Sequence, residues 1–226
     1  MKKMLALVLA LLMAVSSASM ALAADTAIAE DAPKLISAAT TYAEAIGMLD
    51  AYGIMKGVDP NKFDADADSD IQRYQMALFV GRISTGWTDD AQWTDGNVNN
   101  SGFDDLDGTP AQSFYGAISY ASQKGIIEGY GNGKFGPMDE VTREQLAAIL
   151  YRYAGFKGYS TAIDENTNYL SYNDVFDIAE YARLPMFWAI ENDMILDTDG
   201  DLRHAKSALR REVAAAIRAF SENVVR

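Results

Sequence analysis

The chain of 226 residues has no cysteine, one histidine, five prolines and three tryptophans. Without cysteine there are no disulfides, no thiolate metal ligands and no thioether-linked lipid, so a secreted chain of this kind rests on its core alone. The single histidine, His204, stands in a polar turn with no second histidine to join it, which argues against a zinc site. Neither a Gly-x-Ser-x-Gly elbow nor a phosphate loop occurs, so no catalytic residue and no cofactor is expected. Apolar runs are short: Met4 to Val15 is twelve residues long, too few to cross a bilayer. Basic residues are also in deficit, with 19 Lys and Arg against 32 Asp and Glu, a net charge of −13.

The short apolar run has its own meaning. Lys2 and Lys3 precede it and Ala21-Leu22-Ala23 follows it, so 1–23 reads as a secretory signal peptide, with no membrane span after its cleavage. Removing its two lysines leaves 17 basic residues against 32 acidic, a charge of −15. Such a chain repels nucleic acid at long range, and an acidic ligand must be met by local basic spots. About 200 mature residues, roughly half apolar, suffice to bury a real core in one compact domain.

What is present is organised around Gly125 to Tyr153. A helix expected from about Gln112 to Lys124 carries Tyr115, Ile118 and Ala121 on one face, and Gly125 stands where a left-handed cap is wanted. The next helix opens on Thr142 with Gln145 three residues on, a capping box, and Val141 can staple onto Leu146. Its apolar positions Leu146, Ile149, Leu150 and Tyr153 follow helical spacing, so the face is one-sided and needs a partner. The pattern recurs upstream as Gly53-Ile54-Met55-Lys56-Gly57, Phe63 and Gln72-Arg73-Tyr74-Gln75. Downstream it recurs more weakly as Asp193 to Asp197, Leu202 and Leu209-Arg210-Arg211-Glu212. Arg73, Arg143 and Arg210 lie 70 and 67 residues apart, a period that argues for three copies packing their apolar faces together.

These residues resemble the S-layer homology (SLH) domain family. Its pattern is an aromatic-x-Asp opening, a first helix starting near Trp-Ala, a Gly-Ile-x-x-Gly turn, a Phe-x-Pro step and a Thr-Arg-Ala-Glu helix start. The second repeat matches with Phe103, Asp105, Gly125, Ile126, Gly129, Phe135, Pro137 and Thr142-Arg143-Glu144-Gln145. The third matches with Tyr172, Asp174, Tyr181-Ala182 and Leu209-Arg210-Arg211-Glu212, whereas the first lacks the aromatic-x-Asp opening. The resemblance implies an all-α fold: a pseudo-threefold triplet of helix-turn-helix repeats around a central three-helix bundle. The expected organisation is a flexible lead-in over 24–33, repeats over 34–83, 102–155 and 172–221, a polar loop over 84–101 and a linker over 156–171.

Three departures carry expectations of their own. Pro185 falls inside the first helix of the third repeat, where it removes a hydrogen bond and kinks the helix unless a turn begins there. Asp193 and Asp197 replace both turn glycines, and aspartate tolerates the left-handed conformation better than most residues. The loop 84–101 holds Trp87 and Trp93, which either stack on a sugar ring or pin the loop to the core, and the second reading is favoured. The runs Asp64 to Asp68 and Asp197 to Asp201 resemble the start of a calcium loop. They have Ser69 and Leu202 where glycine is required and Gln75 and Ala208 where glutamate is required, so they read as solvated turns and no metal site is expected.

Arg73, Arg143 and Arg210 each open a helix, where a positive charge opposes the helix dipole by roughly 0.3 to 1 kcal/mol. Free N–H groups at a helix start together with a guanidinium fork suit a carboxylate or phosphate. Pairing with an acidic residue of the neighbouring repeat is the structural alternative, and the residues alone leave both open. The resemblance implies binding of secondary cell-wall polysaccharide, commonly pyruvylated and attached to peptidoglycan, in grooves between repeats. Carried over by position, it points to Arg143 with Asp105 and Gly129, to Arg210 with Asp174 and Tyr181, and to Arg73 with Gly57. The expected function is non-catalytic anchoring at the cell wall or surface layer, with no further catalytic region attached. The alternatives are a self-assembling or protein-docking surface-layer component with vestigial grooves, and a carbohydrate-active enzyme for which no acid and base pair can be placed.

Overall fold

Among the described residues, each of the three longest helices begins at one of the three arginines. In the computed structural model, α1 spans Arg73–Thr85, α2 Tyr115–Gln123, α3 Arg143–Lys157, α4 Arg183–Glu191 and α5 Arg210–Asn223. Helical residues 44–47 and 49–51 precede them. The residues described are 44–47, 49–56, 68–94, 98–164, 169–195 and 200–225, all within one compact unit, 37–226. The expected signal peptide and lead-in fall outside them, as do Gly57, Phe63, Asp64, Asp66, Asp197 and Asp199. Among the described residues there is no strand, in agreement with the all-α expectation, and no helix is long and apolar enough to cross a membrane.

The helix starts share one local cause. Three residues into α1, α3 and α5, a side chain reaches back to the N-cap N–H. Gln75 Oε1 accepts from Gln72 at 2.9 Å, Gln145 Oε1 from Thr142 at 3.3 Å and Glu212 Oε2 from Leu209 at 2.9 Å. Thr142 Oγ1 also accepts from the Gln145 N–H at 3.3 Å, completing the expected box at α3.

The turns are equally alike. Gly53 and Gly125 both have φ 65°, and Asp193 takes φ 56° at the corresponding place. After each turn an N–H reaches back into the preceding helix: Ile54 to Leu49 O at 2.8 Å, Ile126 to Ala121 O at 2.9 Å and Met194 to Ala189 O at 2.8 Å. The third turn thus survives the loss of its glycine, and Met55, Ile126 and Met194 are delivered into the core.

Two first helices begin differently from the expectation. The helix expected from Gln112 is a 3-10 turn, Pro110–Phe114, capped by Thr109, and α2 starts only at Tyr115. A 3-10 turn advances three residues per turn rather than 3.6, and Phe114, at φ −134° and ψ 31°, absorbs the change of register. Likewise Glu180–Ala182 is a 3-10 turn ahead of α4. Pro185 is therefore the third residue of α4, where its missing N–H costs no helical bond.

In packing, α1 lies against α2 and α3 against α4, while Arg218 of α5 pairs with Glu44 at 2.8 Å. The expected stripe of α3 is buried, but so are Ala147, Ala148 and Ala154, so its buried surface extends beyond one face. Alanines on the flanks give neighbouring elements room to approach on further sides.

The segments leading into α1, α3 and α5 are joined in a closed ring. Ile71 N–H donates to Ala208 O at 3.2 Å, Ala208 N–H to Val141 O at 2.7 Å and Val141 N–H to Ile71 O at 2.8 Å. Antiparallel bridges Asp70 with Leu209, Gln72 with Glu140 and Thr142 with Ser207 flank it. All three side chains of the ring are buried in the same apolar cluster.

The polar connection after α1 is held by Trp93. Its indole N–H donates to Trp87 O at 3.0 Å, and its ring lies so close to α1 that a Cβ on Gly81 would come within 2.8 Å of it. A Cβ on Gly116 of α2 would meet Trp93 O at 2.8 Å. Trp93 therefore pins the loop, as the favoured reading expected, while about half of Trp87 remains exposed.

Candidate functional site

The arginines lie at seams between successive copies of the pattern. All three are buried, with exposures of 5% for Arg73, 6% for Arg143 and 7% for Arg210. Arg73 Nε donates to Phe135 O at 2.8 Å and Nη2 to Glu128 O at 2.6 Å. Arg143 Nε donates to Leu202 O at 2.8 Å and Nη1 pairs with Glu212. Arg210 Nη2 donates to Lys56 O at 2.6 Å. Each guanidinium thus reaches the loop ahead of another of these helices: Arg73 the one before α3, Arg143 the one before α5 and Arg210 the one before α1.

The aspartates of the aromatic-x-Asp openings complete this connection. Asp105 accepts from Phe135 N–H at 2.9 Å and Gly136 N–H at 2.8 Å, one bond to each carboxylate oxygen. Asp174 does the same with Leu202 at 2.9 Å and Arg203 at 2.8 Å. Phe135 therefore has its N–H held by Asp105 and its carbonyl by Arg73, and Leu202 is held in the same way by Asp174 and Arg143. The clamp also fixes left-handed residues, Gly136 at φ 67° and the non-glycine Arg203 at φ 52°.

The expectation of free N–H groups at the helix starts is corrected by these seams. Arg73 N–H donates to Asp139 O at 2.9 Å, Arg143 N–H to Lys206 O at 2.9 Å and Arg210 N–H to Ser69 O at 2.8 Å. Tyr74 and Glu144 N–H groups reach Pro137 O and His204 O at 3.2 and 2.9 Å. The positive end of each helix is spent on a neighbouring loop, because burying it against that loop without acceptors would orphan the donors.

The grouping of site residues also shifts by one copy. Gly129 belongs to the loop that Arg73 grips and Asp105 holds the same loop, while Asp174 holds the loop that Arg143 grips. Gly129 packs against Phe103, and a Cβ there would also come within 2.6 Å of Lys134 O, so only glycine fits. Tyr181, half exposed, donates to Glu144 Oε1 at 3.2 Å. Glu144 Oε2 further accepts from Ala179 N–H at 3.2 Å and lies 2.9 Å from His204 Nδ1. Among the described residues no group of three or more His, Asp or Glu is placed to hold a metal.

The Arg73 seam has further features that the motif comparison did not single out. Tyr130 and Phe135 both lie against the guanidinium, with ring centres 4.7 and 4.9 Å from Cζ, and Tyr130 is 50% exposed. The Tyr130 hydroxyl donates to Asp139 Oδ2 at 2.8 Å. Burial lowers the Arg73 pKa from its ordinary value, opposed by the charges of Tyr130, Asp139, Tyr181 and Asp105. Burial, then the charge and hydrogen bond of Glu144, pushes the Tyr181 phenol up to about 12. The signal for Tyr130 was in the sequence, since it directly follows the turn glycine Gly129.

Comparison with known proteins places this geometry in context. The chain is 33% identical over 161 residues to a cell surface protein of Thermoanaerobacter kivui, an alignment covering 70% of this chain and 19% of that protein. It is 29% identical over 108 residues to an endoglucanase of Bacillus sp. (strain KSM-635), covering 46% of this chain and 11% of that one. The chain thus spans about a fifth or less of the curated relatives it matches. The stretch 102–147, which holds the Asp105 clamp and Arg143, matches the model of the S-layer homology domain.

Proposed function

We propose that the protein is a non-catalytic cell-surface component that holds to the wall by binding secondary cell-wall polysaccharide. Binding uses grooves between three S-layer homology repeats arranged about a pseudo-threefold axis. The observation that carries this reading is the recurring seam, in which an arginine and an aspartate from successive copies grip one loop between them. The family match over 102–147 and the similarity to a cell surface protein support the location. In so acidic a chain, arginines gathered at seams are the local basic spots that an anionic, pyruvylated polymer requires. The similarity to an endoglucanase fits an anchoring module shared with an enzyme, since the match spans only 11% of that protein.

The test is a pull-down of the protein on peptidoglycan sacculi prepared with and without their attached polysaccharide. Retention only on polymer-bearing sacculi is expected, and equal retention or none on either preparation refutes the reading. A second reading, self-assembly or docking of another surface protein, draws on the entry to the third copy, where Leu170 just before it and Phe176 within it are 68% and 75% exposed. Light scattering without polymer tests it, since ordered oligomers would favour assembly over anchoring.

A further inference from the structure

We propose that Asn132 is a site of non-enzymatic modification, converting to aspartate and isoaspartate and thereby loosening the loop that Arg73 grips. The chemistry needs an asparagine followed by an unhindered N–H, and Asn132-Gly133 is the one Asn-Gly pair in the sequence. Gly133 has no Cβ to obstruct the approach of its nitrogen to the Asn132 side chain, and both residues are exposed to water.

The local geometry suits each part of the step. Among the described residues the Gly133 N–H has no acceptor, so its nitrogen is not committed elsewhere. Asn132 Oδ1 accepts from the Lys134 N–H at 3.1 Å, which draws electrons from Cγ and makes it a better electrophile. Asn132 Nδ2, the leaving group, donates to no acceptor among the described residues. Other asparagines differ here. Asn99 Nδ2 donates to Phe103 O at 2.6 Å, Asn173 Nδ2 to Asp201 Oδ1 at 3.0 Å, Asn192 Nδ2 to Trp188 O at 2.8 Å and Asn223 Nδ2 to Asn192 O at 3.0 Å. Each of these four is also followed by a residue with a side chain.

The step needs only water. The Gly133 nitrogen gives up its proton to water or hydroxide and bonds to Cγ, and the Cγ–Nδ2 bond breaks to release ammonia. The cyclic succinimide then takes up one water. Opening at the new Cγ–N bond gives aspartate on the original main chain. Opening at the original peptide bond gives isoaspartate, whose main chain runs through Cβ and Cγ and is one carbon longer.

The extra carbon falls where the loop is closed. Tyr130 N–H donates to Lys134 O at 2.9 Å across it, and Asp104 N–H donates to Gly133 O at 3.1 Å. Asp104 also pairs with Lys134 at 2.7 Å, and its neighbour Asp105 holds Phe135 and Gly136. Lengthening the chain at 132 moves Gly133 O and Lys134 O out of register with these donors. The change lies between Glu128 and Phe135, the two residues whose carbonyls Arg73 holds. Aspartate keeps the main chain and a side-chain acceptor for the Lys134 N–H, so it leaves the loop closed.

The test incubates the protein in mildly alkaline buffer at physiological temperature, with thermal melting and with peptide mapping that separates aspartate from isoaspartate. Asn132 is expected to convert roughly tenfold faster than Asn99, Asn173, Asn192 or Asn223, with isoaspartate as a major product. The isoaspartate fraction is expected to melt about 2 to 4 °C lower, the scale of one or two lost hydrogen bonds in a domain of this size. Asn132→Ser, which has no amide to lose, should keep its Tm through the same incubation, and fresh Asn132→Asp should melt with the parent. Conversion of Asn132 no faster than that of the other four overturns the assignment of the site. The loosening is overturned by an isoaspartate fraction that melts with the parent, by Asn132→Ser ageing as the parent does, or by fresh Asn132→Asp melting as low as the aged protein. None of these outcomes depends on what the protein binds.

Discussion

Replacing Asp105 by asparagine tests whether the seams hold the fold together. The carboxylate accepts one N–H on each oxygen, from Phe135 at 2.9 Å and Gly136 at 2.8 Å. Asparagine keeps one acceptor and turns an amide donor toward the other N–H, so one bond is lost and one donor is left facing a donor. A hydrogen bond to a charged group contributes about 1.5 to 3 kcal/mol, so a loss of about 2 kcal/mol is expected. For a domain of this size that lowers Tm by about 4 to 8 °C. Urea denaturation followed by circular dichroism should show a lower midpoint at unchanged slope. Asp174→Asn, acting on Leu202 and Arg203 at 2.9 and 2.8 Å, should lose a similar amount. A loss below about 0.5 kcal/mol in both variants refutes the view that these clamps stabilise the seams.

Trp93→Ala should cost about 3 to 5 kcal/mol by the same denaturation measurement, because the ring fills the space between α1 and α2 left by Gly81 and Gly116. Asp193→Gly should stabilise by less than about 1 kcal/mol and Gly125→Ala should destabilise by about 1 kcal/mol, since both positions are left-handed and only glycine occupies them without strain. The Tyr181 phenol, raised to about 12, titrates above the ordinary tyrosine value of about 10. Its neutral form is thus favoured in the folded state, so its contribution is fully present below about pH 10 and is lost as pH rises toward 12. Absorbance titration should show a step near pH 12 in the parent that is smaller by one tyrosine in Tyr181→Phe, while the more deeply buried Tyr153 titrates higher still in both.

The sequence revealed the elements whose causes are local. Thr142 with Gln145 marks a helix start, and Gly53, Gly125 and Asp193 stand where a left-handed residue ends a helix. The arginine positions were legible as unfavourable for their own helices, which correctly marked them as engaged elsewhere. What they engage was not legible, because Arg73 and its acceptor Phe135 are 62 residues apart in the chain and nothing nearby announces the pairing. The occupied helix starts were hidden for the same reason, since Asp139, Lys206 and Ser69 offer backbone carbonyls, which every residue has. The split ahead of α2 escaped detection because Tyr115, Ile118 and Ala121 keep helical spacing even though the preceding turn is 3-10.

The hydrogen-bonded ring of Ile71, Val141 and Ala208 bears on how the protein comes apart. In a linear array of repeats, the end units have one neighbour each and open first. A ring has no end units. Loosening any one member deprives two others of a bond, so partial opening at one seam weakens the remaining seams. The ring members are far apart in the chain, so closure must wait for long loops to form, and folding is slower than in a helical bundle of local contacts. Pulling on the chain at a cell surface would therefore meet resistance from all three seams together, followed by a single abrupt release.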